Sequence, residues 1–406
     1  MKLCILTRQV NQGDGQGRVN YEVVVEALRR GHTVTLVASQ VAPALEHHPQ
    51  VQWVNIPVQR YPTQLLRDRV FAHRSAQWLA QHRQTVDLIQ VNGATTTHPA
   101  DVNAVHFVHS AWLQSPGHVF RTRRDAYGLY QWAYSKLNSF WEQQSFRCSK
   151  VMIAVSETVK QELIALGVPV DAIRVIANGV DAQEFVPGVV DRTSLNLPEG
   201  VPLALFVGDL QTTRKNLDTV LRSMVQIPQL HLAVVGDPQR SPYLPLIEQL
   251  QISQRVHVLG YRRDVPAIMQ ASDFFVLPSR YEPFGMVISE AMATGLPVIT
   301  SANVGAADLV DADSGIVIPD LNDVAALAQA MELLTSDVTL RQQMGRAART
   351  VAERHSWSKM ASQYVDLFES LCCSNAHPSQ LSSSTPNLEE PAFFKSTGFG
   401  CFKERS

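Results

Sequence analysis

Two glutamates separated by seven residues, Glu282 and Glu290, frame the stretch EPFGMVISE, and the residues between them suit a bound diphosphate. Met286 to Ala293 read as a helix, with Val287/Ala291 and Ile288/Met292 as its buried i, i+4 pairs. The start of such a helix leaves the amides of Phe284, Gly285, Met286 and Val287 without intrahelical partners, a natural seat for phosphate. Gly285 removes a side chain where a ligand must come close. Glu290 lies roughly 9 Å further along the axis at 1.5 Å per residue, about the span from a diphosphate to the ribose hydroxyls of one nucleotide. Glu282 stands before the helix, on the far side of the phosphates, where a hexose would lie. Either glutamate alone is ordinarily a solvated surface residue. Together, around EPFG between two buried strands, they favour a site.

The elements that must position them follow from the flanking sequence. Phe274–Leu277 is a short apolar run that reads as a buried parallel strand, ended by Pro278-Ser279. Gly295-Leu296-Pro297 stops the helix and Val298-Ile299-Thr300 is the next strand. The loop therefore sits at the carboxyl end of a strand, where open α/β sheets bind ligands. At the amino terminus, Lys2–Thr7, a loop NQGDGQGRVN, a helix over about 19–30 and a strand over 33–38 open a similar unit. Its glycines Gly13, Gly15 and Gly17 miss the strict dinucleotide register, and the second strand ends in Ser39 rather than an acid for a ribose. A strand over 102–108 ends in His109-Ser110. His109 is placed for chemistry, while His106, three residues back, reads as structural and on the opposite strand face.

The segment EPFGMVISEAMATGLPVI resembles the donor-site motif of the retaining GT-B glycosyltransferases, family 4 in particular. That resemblance implies that Glu282 and the amides of Phe284, Gly285, Met286 and Val287 hold the donor sugar and phosphates, and that Glu290 holds the ribose. DGQGRVNYEV resembles the family loop GGxGRxxxEL, which places Gly15 and Gly17 at the donor diphosphate, with Asp14 where the first glycine is usual. His109 matches the family's histidine near the donor sugar. The segment after strand 203–207 resembles the family's phosphate-binding GRL…K. Asp209 replaces its arginine, so the cationic role passes to Lys215 and Arg214. Gly260-Tyr261-Arg262 matches the segment beside the nucleobase, making Arg262 a donor contact. The resemblance spans roughly residues 2 to 372 and implies transfer of a hexosyl group from a nucleotide-diphosphate sugar to an acceptor hydroxyl, with retention. No metal or other cofactor is expected, because two cations beside a helix start can neutralise a leaving diphosphate.

Length and composition agree with this. At 406 residues the chain needs two cores. The expected division is an α/β pair of Rossmann-like domains facing a cleft: residues 1–185 for the acceptor, a linker over 186–200, and residues 201–355 for the donor. A helix over 356–373 crosses back, and a Pro/Ser-rich tail over 374–406 is expected to be disordered. Thirty-five basic against 37 acidic residues give no support to nucleic-acid binding. No long apolar run spans a membrane, the amino terminus is not a signal peptide, and five cysteines without metal spacing suit reduced thiols, so a cytoplasmic protein is expected. Arginines clustered over 60–83 and 121–124 suit an anionic membrane surface on the inner face, or only a solvated helix. The acceptor is expected to be a sugar or lipid-linked precursor. Two other classes remain: a non-catalytic nucleotide-sugar sensor of the same fold, and an NAD-dependent oxidoreductase, which the broken glycine register disfavours. One long helix over 118–150 with an aromatic face packed into the core completes the reading.

Overall fold

The computed structural model describes residues 1–13 and 15–376, without the side chains of 374–376. Asp14, the expected disordered tail beyond residue 376, its closing segment FFKSTGFGCFKERS and Cys401 lie outside the described residues.

In chain order the first half contributes β1 (Lys2–Leu6), β2 (Gln9–Val10), β3 (Thr33–Ala38), β4 (Gln40–Val41), β5 (Val51–Asn55), β6 (Leu88–Asn92), β7 (Ala100–Val105), β8 (Ser149–Ala154) and β9 (Ile173–Val175). Seven of these form one parallel sheet in the order β5-β3-β1-β6-β7-β8-β9, while β2 and β4 pair as a small ribbon beyond its carboxyl edge. The second half contributes β10 (Leu203–Val207), β11 (His231–Val235), β12 (Val256–Gly260), β13 (Phe274–Leu277), β14 (Val298–Ser301) and β15 (Gly315–Ile318), in a parallel sheet ordered β12-β11-β10-β13-β14-β15. In both, the chain first builds outward on one side of the opening strand and then crosses to the other. The order therefore reverses between β1 and β6, and between β10 and β13. At such switch points neighbouring loops diverge and leave a crevice at the carboxyl ends of the strands.

Continuous apolar runs make these strands. Leu3, Cys4, Ile5 and Leu6 are all fully buried, as are Phe274, Phe275, Val276 and Leu277, because helices cover both sheet faces. Burial pushes the Cys4 thiol up to about 12, as befits a core residue. The connection between the halves is anchored. Arg192 donates to the carbonyls of Ala271 (2.7 Å) and Val201 (2.6 Å) and pairs with Asp273 (3.0 Å), pinning the segment to the second sheet.

The structure corrects three expectations. The stretch 118–150 is a single turn, Val119–Thr122, and a separate helix, Ala126–Arg147. Arg123 takes an extended conformation between them, and Asp125 caps the second helix by accepting from the Gly128 amide at 2.9 Å. The aromatic face of that helix is core only in part, with Phe146 buried. Leu129, Trp132, Leu137 and Phe140 are exposed by 56, 40, 40 and 57%, as an i, i+3, i+8, i+11 stripe. The last helix, Trp357–Ala376, runs past residue 373 and into the stretch expected to be disordered. It lies on the helix Gly15–Arg29 of the first half, where Trp357, Met360, Tyr364, Val365 and Phe368 share a core with Val19, Val23 and Ala27.

Tyr364 and Phe368 are fully buried in that seam. Phe368→Ala should therefore lower stability by about 3–5 kcal/mol, the usual cost of emptying a buried aromatic position. Urea unfolding of the full chain followed by circular dichroism checks this; an unmoved first transition would show that the helix contributes little to the seam.

Candidate functional site

The loop after β13 is built around a buried ion pair. Lys215 Nζ contacts Glu282 Oε2, and Arg214 approaches the same oxygen at 3.4 Å. Burial pushes the Glu282 carboxyl up, but the Lys215 and Arg214 charges outweigh it and hold the group below its ordinary value. Lys215 arrives on a single 3-10 turn, Thr213–Lys215, whose exit is held by Asn216 in the left-handed region at φ 62°. The Asn216 amide donates to the carbonyls of Pro278 (2.9 Å) and Leu321 (2.8 Å), and its oxygen accepts from Thr219 (2.7 Å). Arg280 makes a bidentate pair with Asp218 (2.8 and 2.7 Å) and donates to Thr213 O, tying the cationic turn to the glutamate loop a second time.

The loop then turns into the helix Met286–Ala293 through Gly285, which sits at φ 94°. A Cβ there would come within 3.0 Å of Val304 and 3.1 Å of Glu282, so glycine is required by the backbone as well as by any ligand. Gly305 and Ala306 amides bind the carbonyls of Glu282 (2.9 Å) and Phe284 (2.7 Å) and hold the loop from below. The amides of Phe284, Gly285, Met286 and Val287 carry no hydrogen bond among the described residues. Val287, expected to be core, is only partly buried. Glu290 follows about one turn into the helix. Its carboxyl is pushed up to about 7, first by burial and then by the Glu184 charge.

Across the cleft, Gly15 opens the helix Gly15–Arg29, and a Cβ on it would lie 3.2 Å from Met286 Sδ. The glycine loop of the first sheet and the helix start of the second thus face each other. Gly17 lines a cavity of about 520 Å³ beside them, within the first sheet's loops. His109 reaches that cavity as the first residue of the helix His109–Gln114. Its Nδ1 bonds Glu142 Oε1 at 2.6 Å and its amide donates to Glu142 Oε2 at 2.9 Å, which fixes the ring and leaves Nε2 for other partners. Arg262, just beyond β12, directs its guanidinium to Asp264 at 2.7 and 2.5 Å, which stands apart from the Lys215–Glu282 cluster.

His106 is corrected. β7 ends at Val105, and His106 lines the same cavity as His109. The strand stops early because the Val108 backbone turns to Tyr281, whose hydroxyl bonds Val108 N at 3.2 Å and Val108 O at 3.1 Å. Burial holds the His106 imidazole down at about 4, hence neutral. Tyr281 also packs edge-on to Phe107 and tilted against Trp112, and Ser156 donates to Pro283 O at 2.7 Å. Glu142, Asn216 and Tyr281 escaped the sequence reading. Only Tyr281, directly before Glu282, and Asn216, directly after Lys215, stood where proximity might have drawn attention.

Two sheets with facing switch points, a cation pair against an unpaired helix start and a glycine loop opposite define a nucleotide-dependent transferase of the GT-B kind. Residues 13–184 match the family model described as Glycosyltransferase Family 4, and residues 190–351 match that of Glycosyl transferases group 1. The chain belongs to this family of retaining, metal-independent glycosyltransferases. The D-inositol 3-phosphate glycosyltransferase of Xylanimonas cellulosilytica is 26% identical over 401 residues, 89% of this chain and 93% of that protein. A lipopolysaccharide core biosynthesis glycosyltransferase of Rhizobium meliloti is 30% identical over 201 residues, 49% of this chain and 58% of its own. Among solved structures, sucrose-phosphate synthase from Thermosynechococcus elongatus superposes with a TM-score of 0.74 at 22% identity, covering 92% of this chain and 99% of its own. HepE of Anabaena, in complex with UDP-glucose, superposes at 0.65 and 21% identity, covering 91% and 100%.

The raised Glu290 carboxyl has a consequence for stability. Its folded value of about 7 exceeds the ordinary 4.5, so between the two the folded chain holds more protons than the unfolded one. Stability contributed by this group is present below pH 4.5 and lost as pH rises through 7. Glu290→Gln should therefore raise the melting temperature at pH 8 and leave it little changed at pH 4.5. Equal effects at both pH values in thermal scans would mean that the carboxyl is not held neutral.

Proposed function

We propose that this glycosyltransferase carries a hexosyl group from a nucleoside-diphosphate sugar to a hydroxyl of a sugar or lipid-linked acceptor, by front-face transfer assisted by the leaving phosphate. The observation that carries the reading is the placement of Lys215 and Arg214 beside the unpaired amides of 284–287, opposite Gly15. In this reading the diphosphate rests on those amides and both cations, Glu290 accepts from the ribose hydroxyls, and Arg262 lies toward the base. Glu282, released from Lys215, takes a donor-sugar hydroxyl. His109, oriented by Glu142, faces the reacting sugar from the acceptor side. As the glycosidic bond breaks, negative charge grows on the diphosphate, so a fixed ammonium stabilises the transition state more than the ground state. UDP-glucose, the donor bound by HepE, is the first to try, followed by GDP- and ADP-sugars. Lys215→Ala should lower kcat on the order of 10²-fold or more, measured as nucleotide release. The wild-type rate should persist in EDTA. A full rate in the variant, or a strict divalent-cation requirement, would overturn the electrostatic role given to Lys215.

We further infer that the first domain rests on an anionic membrane surface, through the face that carries the 121–124 arginines rather than the helix over 60–83. Arg67 donates to Tyr61 O (2.7 Å), Arg74 to Pro57 O (3.2 Å), and Arg69 stacks over Trp141 at 4.0 Å, so these serve local structure. The exposed Leu129, Trp132, Leu137 and Phe140 stripe, with exposed Arg121, Arg123 and Arg124 nearby, combines apolar anchors with charge. Among the described residues no helix is long and apolar enough to cross a membrane. Each arginine near an anionic bilayer adds about 1 kcal/mol. The chain should sediment with phosphatidylserine-containing vesicles but not with phosphatidylcholine alone, and high salt should release it. Leu129→Ser with Phe140→Ser should abolish this. Vesicle binding that survives the pair would sink the assignment.

A further inference from the structure

The cavity beside His109 has a charge balance ill suited to a phosphorylated substrate. Its charged walls among the described residues are Arg8, Asp68 and Glu142, and two histidines line it as well. Arg8 pairs with Asp68 at 2.7 Å. The other contacts of Asp68 are a 3.0 Å bond from Gln64 Nε2 to the same oxygen and a 3.0 Å bond from the Tyr134 hydroxyl to the second. Glu142 is committed to His109. The guanidinium is thus neutralised within the wall, and carboxylates outnumber it.

The uncharged lining is rich in hydroxyl and amide groups, from Thr7, Gln9, Gln16, Gln64, Thr95 and Asn138. A sugar hydroxyl both donates and accepts, so it can serve either kind of group. Tyr134 and Phe107 add flat apolar surface next to His109, with ring centroids 5.6 and 4.9 Å from it. The volume of about 520 Å³ suits the end of a saccharide.

We propose that this cavity takes an uncharged saccharide end as acceptor, and that Asp68 is the residue that excludes phosphorylated acceptors by cancelling Arg8. The proposal rests on the reading that the acceptor binds beside His109. A phosphate entering here meets Asp68 and Glu142 without a spare guanidinium or ammonium among the described lining residues, and specificity of this kind comes from the repulsive element. It also separates this chain from its relative named for D-inositol 3-phosphate, whose name specifies a phosphorylated acceptor.

The test uses the full chain with two matched pairs, methyl glucoside against glucose 6-phosphate and myo-inositol against inositol 1-phosphate. Binding is read by saturation-transfer NMR, and use as acceptor by UDP release from UDP-glucose. The neutral member of at least one pair should bind at least about tenfold more tightly than its phosphorylated partner, a difference of about 1.4 kcal/mol. Asp68→Asn keeps the shape and can still bond Tyr134 and Gln64, while leaving Arg8 uncompensated. It should shift that ratio about tenfold toward the phosphorylated member and leave UDP affinity, measured by calorimetry, unchanged. Preference for the phosphorylated members, binding of neither, or a ratio unmoved by Asp68→Asn overturns the proposal. Loss of UDP binding in the wild type, with saccharide contacts intact, strikes the donor reading instead.

Discussion

A carboxylate inside a protein cleft must be paired, and the arrangement around Glu282 follows from that. Removing one partner of a buried ion pair typically costs about 3–5 kcal/mol, because a bare charge is left in a poor solvent. Lys215 must therefore be delivered to the end of β13 from the loop after β10, across the switch point of the second sheet. Asn216 in its left-handed conformation and the Arg280–Asp218 fork hold it there. The same cations pair with a glutamate just ahead of amides that no group among the described residues satisfies. A pair that stabilises the loop thus also prepares a site for an anion.

One place where the two halves meet is this loop. Tyr281 bonds the Val108 backbone, Pro283 accepts from Ser156, and Gly305 lies so close under Pro283 that any side chain would collide with its carbonyl at 1.9 Å. The chain that carries Glu282 is consequently in register with the chain that carries His109, one residue beyond Val108. On the far side the helix Trp357–Ala376 joins the halves again by burying Tyr364 and Phe368 against the Gly15 helix. The cleft lies between these two seams, one hydrogen-bonded and one apolar.

Much of this was legible in the amino-acid sequence. Apolar runs such as Phe274–Leu277 and Leu203–Val207, bounded by Asp, Pro and Gly, marked parallel strands because a strand covered on both faces must be apolar throughout. EPFGMVISE marked a helix start between two glutamates, since local spacing along one helix is dictated by covalent geometry alone. Lys215 and Arg214 were nameable from their place after β10, and the structure sets both against Glu282.

What escaped was everything set by partners distant in sequence. His106 was assigned to the wrong side because a strand's end depends on which neighbour claims its backbone, and Tyr281 claims Val108 from 173 residues away. Leu129, Trp132, Leu137 and Phe140 looked like core because apolar periodicity shows that a helix has a face, not what covers it. The pairing of Arg8 with Asp68, which decides the charge of the cavity, joins two residues 60 positions apart that share no motif. The sequence by itself determined the strands, the helix start and the chemical types at the cleft, because these follow from local periodicity and residue chemistry. Only the tertiary structure decided which charges cancel, which imidazole faces the cavity and which apolar face stays bare, because each depends on burial and on contacts between elements far apart in the chain.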